Sequence, residues 1–154
     1  MTGPVLYMLD TNICSFVMRR RPPSLLDRVA RAAADGHTLV VSAITYAEMR
    51  FGAIGRKASP RHVRLVDEFV RRLDGVLVWD APAVDETVRV RQELAAAGRP
   101  ISDNDSAIAA HARLVDAVLV TNNVREFGRV ADLTIDDWST GEASPRQPQG
   151  LTGI

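Results

Sequence analysis

The chain has 154 residues, 46% of them apolar, enough to build one domain around a proper core. Lys plus Arg and Asp plus Glu both number 19, so no net field draws the protein to nucleic acid, and any such contact has to come from a local patch. Cys14 is the only cysteine, which excludes an internal disulfide and a cysteine-based zinc cluster, and no apolar stretch reaches the roughly 18–20 residues of a membrane span.

Taken in chain order, residues 5–9 read as a strand that ends on Asp10. A carboxylate there stands at the rim of a buried sheet, fixed and partly desolvated. Arg19-Arg20-Arg21 is a candidate basic patch, as is Arg71-Arg72; solvated faces are the alternative for both. Lys57 is the only lysine, so the positive charge is almost all arginine, which suits bidentate phosphate contacts. After Pro22-Pro23, Ser24 is expected to cap a helix to about Asp35-Gly36, with Leu25, Leu26, Val29 and Ala33 on one face. Residues 38–41 form a second strand, and Ser42 caps a helix running to about Gly55. Ser59-Pro60 opens another, with Val63, Val66, Phe69, Val70 and Leu73 at helical spacing.

Residues 76–79 read as a third strand and 82–97 as a helix ended by Gly98. A loop at 100–103 leads to a helix from Asp105 to about Val115. The fourth strand, 117–120, ends in Thr121-Asn122-Asn123, and a short turn around Glu126-Phe127 precedes a weak strand at 133–135. Residues 1–138 are expected to form one domain and 139–154, rich in Pro, Gly and Ser without periodicity, a disordered tail. Strands alternating with helices predict a three-layer α/β/α sandwich around a mostly parallel sheet, with the site beyond the carboxyl ends of the strands. Asp10 and Asn123 stand at such ends.

Glu48 and Asp105 repeat the pattern of a charge on an otherwise apolar face. At about 100° per residue, Ile44, Ala47, Phe51 and Gly55 fall on one side of their helix with Glu48 inside that arc, and Ile108, Ala109 and Ala112 share the face of Asp105. An inward carboxylate is costly unless a cation or hydrogen bonds meet it. A salt bridge is the alternative for Glu48, and an N-cap for Asp105, with Asp103 the better cap of the two. Asp10, Glu48, Asp105 and Asn123 together supply the hard oxygen donors that Mg²⁺ or Mn²⁺ takes. His111 reads as a packed or surface histidine, and Trp79 and Trp138 as core or edge packing. Aromatics at 5% give no base-stacking platform.

These segments also carry a resemblance. Met8-Leu9-Asp10-Thr11-Asn12, then Ser42 to Glu48 with Phe51-Gly52, then Asp105 to Ala112, then Leu119 to Phe127, and Leu133 to Trp138 resemble, in order and spacing, the motifs of PIN-domain ribonucleases. In particular the chain resembles the VapC toxins of bacterial type II toxin–antitoxin pairs over nearly all of residues 5–138. The resemblance implies an Mg²⁺-dependent endoribonuclease in which Asp10 and Asp105 map onto the principal metal ligands and Glu48 onto the third acid. Asn123 stands where the family often has a fourth acid, which favours one well-held ion; Glu126 lies close enough to substitute. Water attacking in line would leave 5′-phosphate and 3′-hydroxyl ends without a histidine pair. It also implies an RNA substrate, a homodimer, and a cognate antitoxin that fills the acidic groove, often with an arginine; exposed apolar residues on the helices at 44–55 and 59–73 are candidate contacts for it.

No membrane association is expected. The N-terminus lacks the charged-then-apolar layout of a signal peptide, so a cytoplasmic location is expected. Two other readings compete. A haloacid-dehalogenase-like phosphatase also starts with a strand ending in Asp, but it needs a second Asp where Asn12 stands and a later lysine where the chain has only Lys57. A degenerate RNA-binding or antitoxin-binding module would keep the acids merely as helix caps.

Overall fold

Adjacent residues of the three central strands point to opposite faces of the sheet, and that alternation divides the core. Met8, Val40 and Leu119 lie side by side in register, as the pairings of β1 (Leu6–Leu9) with β2 (Thr38–Ser42) and β4 (Val118–Val120) require, and all three enter one apolar cluster. Leu9, Val41 and Val120, one residue on, enter the other. The period of two in side-chain direction thus gives a sheet buried on both faces, the condition for an all-parallel sheet.

The computed structural model describes residues 3–52 and 59–140. Within them β3 (Gly75–Leu77) and β5 (Ile135–Asp136) complete a five-stranded sheet of order β3-β2-β1-β4-β5, with every pairing parallel. One face is covered by α5 (Ala81–Ala96) and α6 (Asp103–Leu114), which bring Val90, Leu94 and Ile108 to the first cluster. The other is covered by α1 (Thr11–Met18), α2 (Pro23–Ala34) and α4 (Pro60–Arg72), which bring Ile13, Leu25 and Phe69 to the second. The helix α3 (Ala43–Gly52) follows β2 directly, and the single turn α7 (Val124–Phe127) follows β4. The three-layer α/β/α architecture expected from the alternation of elements is therefore present.

Several local expectations are corrected. The helix α1 was not anticipated: it begins one residue after the first strand, where Asp10 both ends β1 and caps the helix, its carboxylate accepting from the Ile13 amide at 2.8 Å. Helix α2 starts at Pro23, with Pro22 at the cap position, so Ser24 lies inside the first turn and caps nothing. For α6 the cap is Ser102, whose Oγ accepts from the Asp105 amide at 3.2 Å; Asp103 opens the helix, exposed, in an ion pair with Arg91. The third strand stops at Leu77, leaving Val78 exposed, and the fifth is shifted to 135–136. Ala53, Gly55, Lys57 and the predicted tail from 141 onward lie outside the described residues.

The end of α1 is a Schellman turn: the Arg20 amide bonds to Val17 O and the Arg21 amide to Phe16 O, both at 3.0 Å. The position between helix and exit, usually glycine, is Arg20 at φ 57°, a left-handed conformation that costs a side-chain-bearing residue about 1 kcal/mol.

Candidate active site

The chain runs outward from β1 to β2 and β3 on one side and to β4 and β5 on the other, so strand order reverses between β1 and β4. Loops leaving adjacent strands in opposite directions open a crevice at their carboxyl ends, where open α/β sheets bind ligands. Asp10 is the residue at that point. It is 3% exposed, its amide bonds to Val120 O at 3.0 Å, and its Oδ2 accepts from the Thr121 hydroxyl at 2.5 Å. Thr121 Oγ1 in turn accepts from the Asn123 amide at 2.9 Å.

Glu48 reaches the same place from α3. Thr11, the residue after Asp10, donates its hydroxyl to Glu48 Oε1 at 2.7 Å and lies 3.3 Å from Thr45 Oγ1. The face expected to carry Glu48 inward is corrected: Ala47 is exposed and Phe51 is 76% exposed, while Thr45 and Met49 are the buried residues of the helix. Glu48 sits at the border of that buried face, half-buried and held by Thr11. Asp105 is also half-buried, with Ile108, Ala109 and Ala112 buried on its side of α6 as expected.

The electrostatics bring these groups together. Burial, and then the charges of Asp105 and Glu48, raise the Asp10 pKa from 3.8 to about 6, against the lowering hydrogen bonds from Thr121 and Ile13. Asp105 is raised by burial and then by the charges of Glu126 and Glu48. Asp10 thus feels the charges of Asp105 and Glu48, and Asp105 those of Glu126 and Glu48, which gathers the four carboxylates around one crevice. Asn123 enters differently: it occupies the cap position of α7, and its Nδ2 donates to Glu126 Oε2 at 3.1 Å. Its contact orients Glu126, an acid that sequence reasoning left as a substitute. The available signal was spacing, since Asn123 and Glu126 flank one turn of helix.

His111 is 2% exposed, its Nδ1 2.7 Å from Ser42 Oγ and its ring edge-on to Trp79 with centroids 5.4 Å apart; burial lowers its pKa. It is a packed histidine, as expected. Trp138 is buried as well, its Nε1 donating to Asp136 Oδ2 at 2.8 Å.

Among the described residues no three Asp, Glu, His or Cys side chains are grouped closely enough to hold a metal ion by themselves. The donor chemistry nevertheless fits a hard divalent cation. Two carboxylates with raised pKa values face a shared crevice, and Mg²⁺ is typically held by one or two carboxylates and completed by water.

The PIN domain family matches residues 7–133, a span that contains every one of these acids. Over 133 residues the chain is 40% identical to the tRNA(fMet)-specific endonuclease VapC of Shigella flexneri, covering 86% of this chain and 98% of that one. In structure it is similar to VapBC-1 from nontypeable Haemophilus influenzae, at 37% identity and a TM-score of 0.77, over 88% of this chain and 99% of that one. It is similar also to DNA-bound VapBC from Salmonella typhimurium, at 36% identity and a TM-score of 0.80, over 87% and 98%.

Proposed function

The chain belongs to the PIN-domain family, among its VapC ribonucleases, and from that premise we propose that it is a divalent-metal-dependent endoribonuclease, the toxin of a toxin–antitoxin pair. The observation that carries the reading is the position of Asp10: a buried carboxylate at the strand-order switch point whose pKa is raised in part by Asp105 and Glu48. Like charges held together in a crevice oppose one another unless a cation meets them.

Asp10 and Asp105 would hold Mg²⁺ or Mn²⁺, with Glu48 and Glu126 bordering it. The ion when bound supplies positive charge against a scissile phosphate oxygen and acidifies water in its coordination sphere. The chain's own residues do the positioning. Thr121 and the Ile13 amide fix both oxygens of Asp10, Thr11 fixes Glu48, and Asn123 fixes Glu126. Glu48, so oriented, accepts a hydrogen bond from the attacking water and directs it in line with the leaving 3′ oxygen. Attack by water leaves a 5′-phosphate and a 3′-hydroxyl.

The partner is a cognate antitoxin, in keeping with the VapBC structures that this fold resembles; pairing of the toxin with a second copy of itself belongs to the same proposal. No helix among the described residues is long and apolar enough to cross a membrane. Sequencing RNA 5′-phosphate ends after expression of the chain and of Asp10→Asn tests the activity. Discrete new ends with the first and none with the second are expected. Ends bearing cyclic 2′,3′-phosphate, or identical profiles from both proteins, would refute it.

A further inference from the structure

A groove of about 1050 Å³ runs from Glu48 along α1 to its far end. Thr11 and Glu48 line its inner end; Arg19, Arg20 and Arg21 line it at the exit of α1, and Arg61 of α4 lines it as well. Glu48 is the one acid among its lining residues, so four guanidinium groups face a single carboxylate in a chain whose charges otherwise balance. Among the described residues none of the four arginines is in an ion pair, whereas Arg28, Arg50, Arg89, Arg91 and Arg113 are. Arg20 adds an independent observation. It occupies the left-handed position of the Schellman turn, where glycine would fit without strain, and thereby keeps a third consecutive cation at the groove.

Resting on the nuclease reading above, we infer that this groove is the track of the RNA strand beside the scissile phosphate, with Arg19, Arg20, Arg21 and Arg61 gripping the sugar–phosphate backbone. Unpaired, exposed arginines spend nothing on existing partners and present planar forks that match phosphate oxygens. From Thr11 to Arg19 the helix rises about 12 Å, enough for at most about four nucleotides at a rise of about 3.4 Å per phosphate. Contacts of this kind set register and affinity and carry no base readout.

The test is binding of a fluorescent single-stranded 12-mer RNA across salt concentration, in an Asp10→Asn background to prevent cleavage, together with cleavage kinetics in the otherwise native chain. Replacing Arg19, Arg20 and Arg21 by Gln should weaken binding about tenfold or more and flatten the log-affinity against log-salt slope by about 2, since each phosphate neutralised on a single strand adds about 0.7 to it. KM should rise while kcat at saturating RNA and the melting temperature stay close to the parent's. Arg61→Gln should flatten the slope further, and Arg71→Gln/Arg72→Gln, outside the groove, should leave it unchanged. Arg20→Gly should raise the melting temperature while weakening RNA binding, an outcome that a merely structural arginine would not give. An unchanged slope in the triple variant, with the native chain still cleaving RNA, would overturn the groove assignment and leave the nuclease reading intact. Loss of binding to a peptide of the antitoxin with RNA binding unchanged would overturn it too, assigning the groove to the protein partner. A native chain that neither binds nor cleaves RNA would sink both readings.

Discussion

Thr121 and Asp10 stand 111 residues apart in sequence, yet the hydroxyl of one meets the carboxylate of the other at 2.5 Å across the carboxyl ends of β4 and β1. That hydrogen bond is the covalently remote link that closes the crevice. It also counteracts the burial that raises the Asp10 pKa, so it favours the charged form a cation needs.

Thr121→Val keeps the shape and removes the hydroxyl. It strips Asp10 Oδ2 of its donor and the Asn123 amide of its acceptor. Partners of this kind typically affect metal affinity or activity about 10- to 100-fold. Calorimetric Mn²⁺ titration should show a loss of that size, with a destabilisation of roughly 1–3 kcal/mol. Unchanged affinity would remove Thr121 from the site.

Mg²⁺ or Mn²⁺ is expected to raise the melting temperature, because a ligand that binds only the folded chain at about 100 times its Kd adds about 2.7 kcal/mol. For a chain of this size that is roughly 5–10 °C. Superimposable melting curves in metal and in chelator would instead favour a degenerate module with no ion site.

In chelator the pH dependence has a definite sign. The folded chain holds the Asp10 proton more tightly than the unfolded chain does, since its pKa is raised from 3.8 to about 6. Stability from this group is complete below about pH 4 and is lost as pH rises through about 6, a change of about 3 kcal/mol. Asp105 acts in the same direction. His111 opposes them: its lowered pKa gives a contribution that is complete above 6.5 and lost as pH falls below it. Asp10→Asn, whose amide oxygen still caps α1, should therefore melt about 6–12 °C above the parent at pH 7.5. The gap should close as pH falls below about 4, and Asp10→Asn should not cleave at any pH. A gap that persists into acid would show that charge is not its cause.

Glu126 and Asn123 separate by substitution. Glu126→Gln removes a charge that raises the Asp105 pKa, and it should lower cleavage at limiting metal by about tenfold or more. Asn123→Ala removes only the group that orients Glu126, so its loss should be smaller and partly recovered at high Mn²⁺. Equal losses from both would make Asn123 a ligand in its own right.

The sheet, its layers and three of the coupled acids were legible because each rests on a local pattern: short apolar runs, helical spacing and a carboxylate closing a strand. What escaped was decided by contacts between distant segments. Glu48 was placed for the wrong reason, since α3 packs between two core clusters, with Ile44 toward one and Met49 toward the other, and a one-sided periodicity does not describe it. Helix α1 was missed because Asp10 serves strand and helix at once, leaving no loop to announce a boundary. Glu126 was undervalued because its relation to Asp105, across α6 and α7, has no signature in sequence.

The outermost strands have a consequence for assembly. β3 is three residues long and β5 two, so each border of the sheet offers scarcely any unpaired backbone ladder for a foreign strand to extend. A partner is thereby steered away from β-augmentation and towards helical surfaces, where recognition depends on side chains rather than main-chain hydrogen bonding. Such surfaces diverge readily between related chains, so a partner fitted to the helices of one chain is poorly matched to those of another.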